Sequence, residues 1–368
     1  MRALFLFFVT VGFLGASEPE RPDRFKQWDK NSDGKLSRDE LPAGLKRNFA
    51  RVDRDGDGFI SRAEHERAMA AWRKAREGGG NGKPSRARVP EGVEIRRDLD
   101  YVGGGNARQT LDLLQPARKS EKALPVIVFI HGGGWKSGSK ERGVQRLVSF
   151  VQSGEYVGAT INYRLTGEAS WPAQIYDCKA AIRFLRGKSK EFGIDPDKIA
   201  VWGTSAGGHL VSMLGTSGGL KELEGDLGDF DDQSSRVTCV ANYFGPSNFL
   251  TMVEQKSSVD RSPKKKYPEA LLIGGPVQDL EKAARQASPV TWISKDDPPF
   301  FTAHGTKDLV VPYAQGEEIH QALEKAGVSS KLHPVVGAGH GFKDPRVEKE
   351  LKEFFDQHLR NDKSESAD

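Results

Sequence analysis

Ile199-Ala-Val-Trp-Gly-Thr-Ser-Ala-Gly-Gly208 is the stretch that decides how this chain is read. Four apolar residues, 199–202, have the pattern of a buried strand. A turn of very small residues follows, and residues 209–214 then take up a helical pattern. A serine at the centre of a G-x-S-x-G turn between strand and helix is held in a strained conformation with its hydroxyl exposed. Gly203 and Gly207 leave the room such a tight turn needs. The helix N-terminus behind Ser205 favours negative charge, as an oxyanion would require. Taken alone, the motif also fits a closely packed glycine-rich turn, so its meaning rests on the rest of the chain.

Around it, strand and helix patterns alternate over residues 93–360. Alternating strands at 94–102 and 109–114 are split by Gly103-Gly-Gly-Asn106 and form a hairpin. The continuous apolar run at 126–130 reads as a strand buried on both faces, and 156–162, 198–202, 237–244, 300–303 and 331–336 read as further strands. Helical patterns fall at 143–151, 173–192, 313–326 and 345–358. The expected fold class is α/β: a mostly parallel, mixed sheet with helices on both faces.

The strand at 126–130 ends in His131-Gly-Gly-Gly-Trp135. Attack on a carbonyl creates an oxyanion that needs fixed N–H donors. Gly133, Gly134 and Ala206, the residue after the serine, are the candidate donors. The serine also needs a base. Among eight histidines, His340 alone lies in a glycine-flanked loop, Gly337-Ala-Gly-His-Gly-Phe342, after the last strand. His65 belongs to an acidic N-terminal region, and His131 and His209 sit inside the motifs above. His304, His320, His333 and His358 have structural readings on strands and helices. Asp308 follows the penultimate strand and is the candidate orienting acid. Asp296 and Asp297 precede that strand, and Asp344 follows His340. The order Ser205, Asp308, His340 is that of a strand–turn–helix serine triad. Such chemistry needs no cofactor of its own. Trp135 and Tyr163 are candidate substrate-binding residues, with a core role the equal alternative. Residues 247–287 have no strong period and are candidates for a cap over the site.

A second signal precedes this domain. Asp29-Lys-Asn31-Ser-Asp33-Gly34-Lys35-Leu-Ser37-Arg-Asp-Glu40 and Asp53-Arg-Asp55-Gly-Asp57-Gly58-Phe59-Ile-Ser61-Arg-Ala-Glu64 both match the twelve-residue EF-hand loop at every ligand position. Side-chain oxygens come from Asp29, Asn31, Asp33, Asp53, Asp55 and Asp57, and backbone carbonyls from Lys35 and Phe59. Ser37 and Ser61 occupy the position that often acts through water, and Glu40 and Glu64 bind with both oxygens. Leu36 and Ile60 are apolar where paired loops would join by a short ladder. The expected ligand is Ca2+ in a structural or docking role, on an all-α EF-hand pair spanning 23–76. Arg24–Trp28 would be its entering helix and 62–76 its exiting one.

Arg2, an apolar run from Ala3 to Leu14 and the small residues Gly15-Ala-Ser17 read as a signal peptide, 1–16, cleaved after Ala16. An uncleaved anchor is the alternative. The run is short for a bilayer span, so no integral span is expected after cleavage. The expected location is secreted or periplasmic. Residues 77–92 are rich in glycine, proline and arginine and read as a flexible linker, and 361–368 as a disordered tail. Charged residues make up 29% of the chain, with a net charge of +4. They are scattered, which argues against a nucleic-acid partner. The run Lys264-Lys265-Lys266 and the acidic stretch 224–232 read as solvated loops. The two cysteines, Cys178 and Cys239, read as small core residues without metal-site spacing; a disulfide between them is the alternative, which their distance decides. Nothing in the sequence specifies an oligomeric state.

Residues 93–358 resemble the hormone-sensitive-lipase-like α/β-hydrolases, and most of all the bifunctional feruloyl and acetyl xylan esterase (BD-FAE) family. The resemblance is carried by His131-Gly-Gly-Gly-Trp135, Asn162-Tyr-Arg164, Pro172-Ala-Gln174 with Asp177, Gly203-Thr-Ser-Ala-Gly-Gly208, Ala287-Ser-Pro289, Asp297-Pro-Pro299, His304-Gly305 with Asp308, and Gly339-His-Gly341. It implies hydrolysis of acetyl or feruloyl esters on an acylated polysaccharide, with a small ester as the simpler substrate. Two other readings compete. One is a carboxylesterase or peptidase on the same scaffold, although a peptidase of the prolyl-oligopeptidase type usually carries a propeller. The other is a non-catalytic, calcium-dependent binding protein, against which the complete triad speaks.

Overall fold

The computed structural model describes residues 24–41, 49–68 and 89–360. The expected signal peptide, the C-terminal tail and most of the linker lie outside the described residues. The chain divides into two compact units, Met1–Arg86 and Ala87–Asp368.

In the first unit, a short helix, Arg24–Trp28, precedes β1 (Lys35–Leu36). Helix Phe49–Val52 precedes β2 (Ile60–Ser61), and helical residues resume at 62. The two strands pair antiparallel, Leu36 opposite Ile60, as the apolar eighth positions predicted. Phe25, Leu36, Leu41 and Ile60 form a small core. The His65 ring packs edge-on to Phe25 and Trp28 at 5.3 and 5.7 Å.

The second unit holds an eight-stranded sheet built from β3 (Val93–Asp100), β4 (Thr110–Pro116), β5 (Leu124–Ile130), β6 (Val157–Ile161), β7 (Ile194–Thr204), β8 (Cys239–Tyr243), β9 (Phe300–Gly305) and β10 (Ser330–Val335). Their spatial order is β10-β9-β8-β7-β5-β6-β4-β3. β3 and β4 form the antiparallel hairpin, β4 also runs antiparallel to β6, and the other neighbours are parallel.

Period-2 alternation divides the apolar residues between two cores. Val126, Val128 and Ile130 of β5, with Ile199 and Val201 of β7, face one core, shared with Ile182, Leu210 and Ile319 from helices Ala173–Gly187, Ala206–Thr216 and Ala314–Lys325. Ile127, Phe129, Ala200 and Trp202 face the other, closed by Leu147 and Phe355 from helices Glu141–Gln152 and Pro345–Leu359. Each fully buried side chain of this size contributes about 1.5–3 kcal/mol relative to exposure. Helix Ala206–Thr216 is buried along its whole length, and this fixes the turn that precedes it. The two cysteines are free and buried, Cys178 in the first core and Cys239 in the second. Both are core residues, as read, and the sheet lies between them.

One expectation fails. Glu224, assigned to a solvated acidic loop, accepts from Lys179 Nζ at 2.7 Å, Arg183 at 3.2 Å and Ser235 Oγ at 2.8 Å. Buried Lys179 and Arg183 require a counter-charge, and this loop supplies it. Residues 247–287, the candidate cap, contribute to the lining of the site and also pack into the core. They hold the short helices Phe249–Met252, Pro268–Ile273 and Glu281–Gln286, and Phe249, Leu272 and Val277 belong to the first core. No helix among the described residues is long and apolar enough to cross a membrane.

Candidate active site

Ser205 leaves the end of β7 and enters helix Ala206–Thr216 with φ 55° and ψ −121°. That left-handed backbone is costly for a residue with a side chain. It is held by Ser205 N–H donating to Tyr243 O and His209 N–H donating to Ser205 O, both at 2.9 Å. The turn tolerates no bulk on either side of the serine. A Cβ added to Gly203 would lie 2.2 Å from Gly207 O, and one on Gly207 would lie 2.1 Å from Ile130 O.

His340, in the loop after β10, points Nε2 at Ser205 Oγ, 2.9 Å away, across 135 residues of chain. Its Nδ1 lies 2.7 Å from Asp308 Oδ2. The other carboxylate oxygen of Asp308 accepts from the N–H groups of Val310 and Val311 at 2.8 and 3.1 Å. Burial pushes the Asp308 carboxyl up, but hydrogen bonds from His304 and His340 outweigh it and hold the group well below the usual carboxylate range. Asp308 is therefore an anion at neutral pH. Ser205, Asp308 and His340 all follow the C-terminal ends of parallel strands, where ligands of open α/β sheets bind.

His304 is the residue that sequence reasoning assigned to structure alone. It ends β9 fully buried, with Nε2 2.9 Å from Val311 O and 3.3 Å from Asp308 Oδ2. One imidazole N–H thus steadies both the acid and the turn that presents it. The available signal was the four-residue spacing from His304 to Asp308 across Gly305.

Gly133 and Gly134 follow β5 beside Ser205. Among the described residues neither backbone N–H meets an acceptor. Ala206 opens its helix, so its N–H has no intrahelical partner either. The three candidate oxyanion donors and the serine line one cavity of about 520 Å³ with His340, Trp135, Pro246, Val259 and Val311. Val259, Arg261, Pro268 and Glu269 come from the 247–287 segment, which therefore forms a fixed wall of the site.

Trp135 lines the cavity and donates Nε1–H to His209 Nδ1 at 3.3 Å. Tyr163, the other candidate for substrate binding, does not. It is fully buried, stacked on His131 at 4.4 Å, and its hydroxyl donates to His131 O at 2.9 Å. It braces the strand end that carries the glycine run. Burial drives His131 and His209 down to about 4, so both are neutral.

The second N-terminal loop brings three of its expected ligand residues together. Asp53, Asp55 and Asp57 place carboxylate oxygens within 4.8 Å of one another. In the first loop Asp29 accepts from the N–H groups of Asp33 and Gly34 at 3.1 and 3.0 Å, while Asn31 Nδ2 donates to Asp33 at 2.9 Å. Glu40 accepts from Ser37 N–H and Oγ–H, both at 2.8 Å, and Glu64 accepts from Ser61 and from Arg54 N–H. Backbone bonds from Arg54 and Ser61 lower the Glu64 carboxyl to about 2. Converging hard anionic oxygens repel one another and fit a divalent oxygen-seeking cation. Lys35 and Phe59 offer their carbonyls at the seventh positions, and the Lys35 ammonium lies 3.6 Å from Asp57 of the other loop.

The sheet and the site together are those of an α/β-hydrolase. The BD-FAE family model matches residues 111–323, more than half of the chain, and the protein belongs to that family. The EF-hand family model matches residues 23–43 and 45–68. Among curated relatives, esterase LipC of Mycobacterium tuberculosis is 30% identical over 70% of this chain and 64% of its own length. The chain thus spans less than two thirds of that relative. A truncated carbohydrate esterase from gut microbiota is 29% identical, with a TM-score of 0.67 over 73% of this chain and 97% of that one. A bifunctional GH43-CE of Bacteroides eggerthii is 32% identical, with a TM-score of 0.67 over 72% of this chain and 35% of that one. These relatives are esterases by name.

Proposed function

We propose that the protein is an exported serine carboxylic-ester hydrolase that removes acetyl or feruloyl groups from a polysaccharide such as xylan. The observation that carries this reading is the pair of hydrogen bonds joining Ser205, His340 and Asp308, at 2.9 and 2.7 Å. In the reaction Ser205 Oγ attacks the ester carbonyl and its proton passes to His340 Nε2. The oxyanion rests against the N–H groups of Gly133, Gly134 and Ala206. The leaving alcohol takes the proton from His340, and water, activated in the same way, releases the acid from the acyl-serine. Asp308 holds the imidazole tautomer and offsets its charge. The carbohydrate esterases among its structural relatives support a sugar ester. The apolar wall of Val259, Val310 and Val311 supports a second reading, a short-chain carboxylesterase acting on small esters.

The EF-hand pair would hold Ca2+ through Asp29, Asn31, Asp33 and Glu40 and through Asp53, Asp55, Asp57 and Glu64, as a structural element. The apolar run Ala3–Leu14 supports export. The deciding test is acetate release from acetylated xylan, with p-nitrophenyl acetate as reference ester. Release from the polymer that is lost in Ser205→Ala supports the reading. Turnover of the small ester alone favours the second reading, and unchanged turnover in Ser205→Ala defeats both.

A further inference from the structure

The catalytic cavity has an uneven charge. Lys136, Arg142 and Arg146 line it and are exposed. Arg142 and Arg146 sit one turn apart on helix Glu141–Gln152, and Lys136 follows the glycine run that carries two of the oxyanion donors. Among the described residues none of the three makes an ion pair. Arg142 and Arg146, one helical turn apart, repel each other. Arg146 has its guanidinium carbon 5.9 Å from the Trp202 ring centroid, which limits where that charge can go.

The other charged pair in the lining, Arg261 and Glu269, neutralises itself. The only carboxylate among the lining residues, Glu269, is 2% exposed and gripped by Arg261 through Nε at 3.0 Å and a second nitrogen at 3.1 Å. Arg261 also donates to Val310 O at 2.9 Å and Ser257 Oγ at 2.7 Å. That pair cancels within the protein. What remains around Ser205 is a rim of three cations.

We propose that Lys136, Arg142 and Arg146 select a substrate whose alcohol part carries an anionic group near the scissile ester: an acylated acidic polysaccharide rather than a neutral one. Guanidinium groups pair with planar carboxylates and with sulfates in two-point fashion. The anion is a uronate carboxylate or a sulfate ester, and the rim accepts either. This inference rests on the esterase reading above and deepens it.

The test separates the two. Specificity constants are measured at low salt on acetylated xylan, acetylated oligogalacturonate and acetylated, sulfated xylan. The ratio of acidic to neutral substrate is expected to be roughly tenfold and to shrink as sodium chloride screens the rim. The variant Lys136→Gln, Arg142→Gln, Arg146→Gln is expected to bring the ratio to about one. The oligogalacturonate and sulfated arms tell which anion is preferred. Binding of non-acetylated acidic and neutral oligosaccharides to Ser205→Ala, by calorimetry, reads the rim without turnover. Equal affinity for acidic and neutral chains, or a ratio that survives the triple substitution, overturns the inference. Failure to hydrolyse p-nitrophenyl acetate instead strikes the esterase reading, and the calorimetry still decides the rim.

Discussion

At the residue scale, the site depends on side chains that hold one another. Asp308 keeps its negative charge because His304, His340 and two backbone N–H groups converge on it. Asp308→Asn preserves shape but favours the wrong imidazole tautomer. It is expected to lower kcat by roughly three to four orders of magnitude while KM stays close to its original value. His304 acts one step further back. His304→Phe removes the N–H shared by Val311 O and Asp308, and kcat/KM is expected to fall about tenfold, equivalent to about 1.4 kcal/mol. His304→Gln, which keeps a donor, should recover part of it, and equal losses in both variants would reduce His304 to packing. The places of Ser205, Asp308 and His340 were legible because each follows a strand, Ser205 and His340 among glycines and Asp308 as the carboxylate after the penultimate strand. His304 and Tyr163 were not. A single polar residue ending a buried strand looks the same whether it braces a carboxylate, a backbone turn or nothing.

At the scale of elements, the elbow works because strand, turn and helix leave no spare volume. Gly203→Ala puts a methyl group into Gly207 O, and neither backbone segment is free to retreat. The variant is expected to lose several kcal/mol of stability and most activity, read by urea unfolding and ester turnover. Strand and helix boundaries agreed with the sequence to within a few residues because both periods were strong. The 247–287 segment was opaque for the opposite reason: its three helices have only four to six residues each, too short to print a period. The EF-hand loops were legible because their ligand spacing is set by the cation and not by packing. Glu64→Gln removes the bidentate carboxylate of the second loop. Calorimetry should then show one calcium site fewer, while kcat/KM for p-nitrophenyl acetate with and without chelator stays the same. A chelator-sensitive turnover would assign the calcium loops a role in catalysis.

Across the whole molecule, acid should act through two histidines that the fold keeps neutral. His131 and His209 carry pKa values lowered from 6.5 to about 4 by burial. The unfolded chain therefore takes up protons first as pH falls. Their contribution to stability is complete above about pH 6.5 and is lost towards pH 4, at up to about 1.4 kcal/mol per pH unit for each. His209→Phe should be less stable at pH 7, because Ala287 O loses its partner, but should show a shallower decline from pH 6.5 to pH 4 in urea midpoints. A decline as steep as the parent's would remove His209 from this account. The free thiols have a different consequence. Burial raises both well above the ordinary range, so almost none of either is thiolate at neutral pH, and the sheet separates them. With no disulfide to form, this scaffold has no use for a disulfide oxidase or disulfide isomerase. The chain from residue 17 onward, made in a reducing cytoplasm or in an oxidising compartment, should show the same melting point and the same two unmodified sulfhydryls after denaturation.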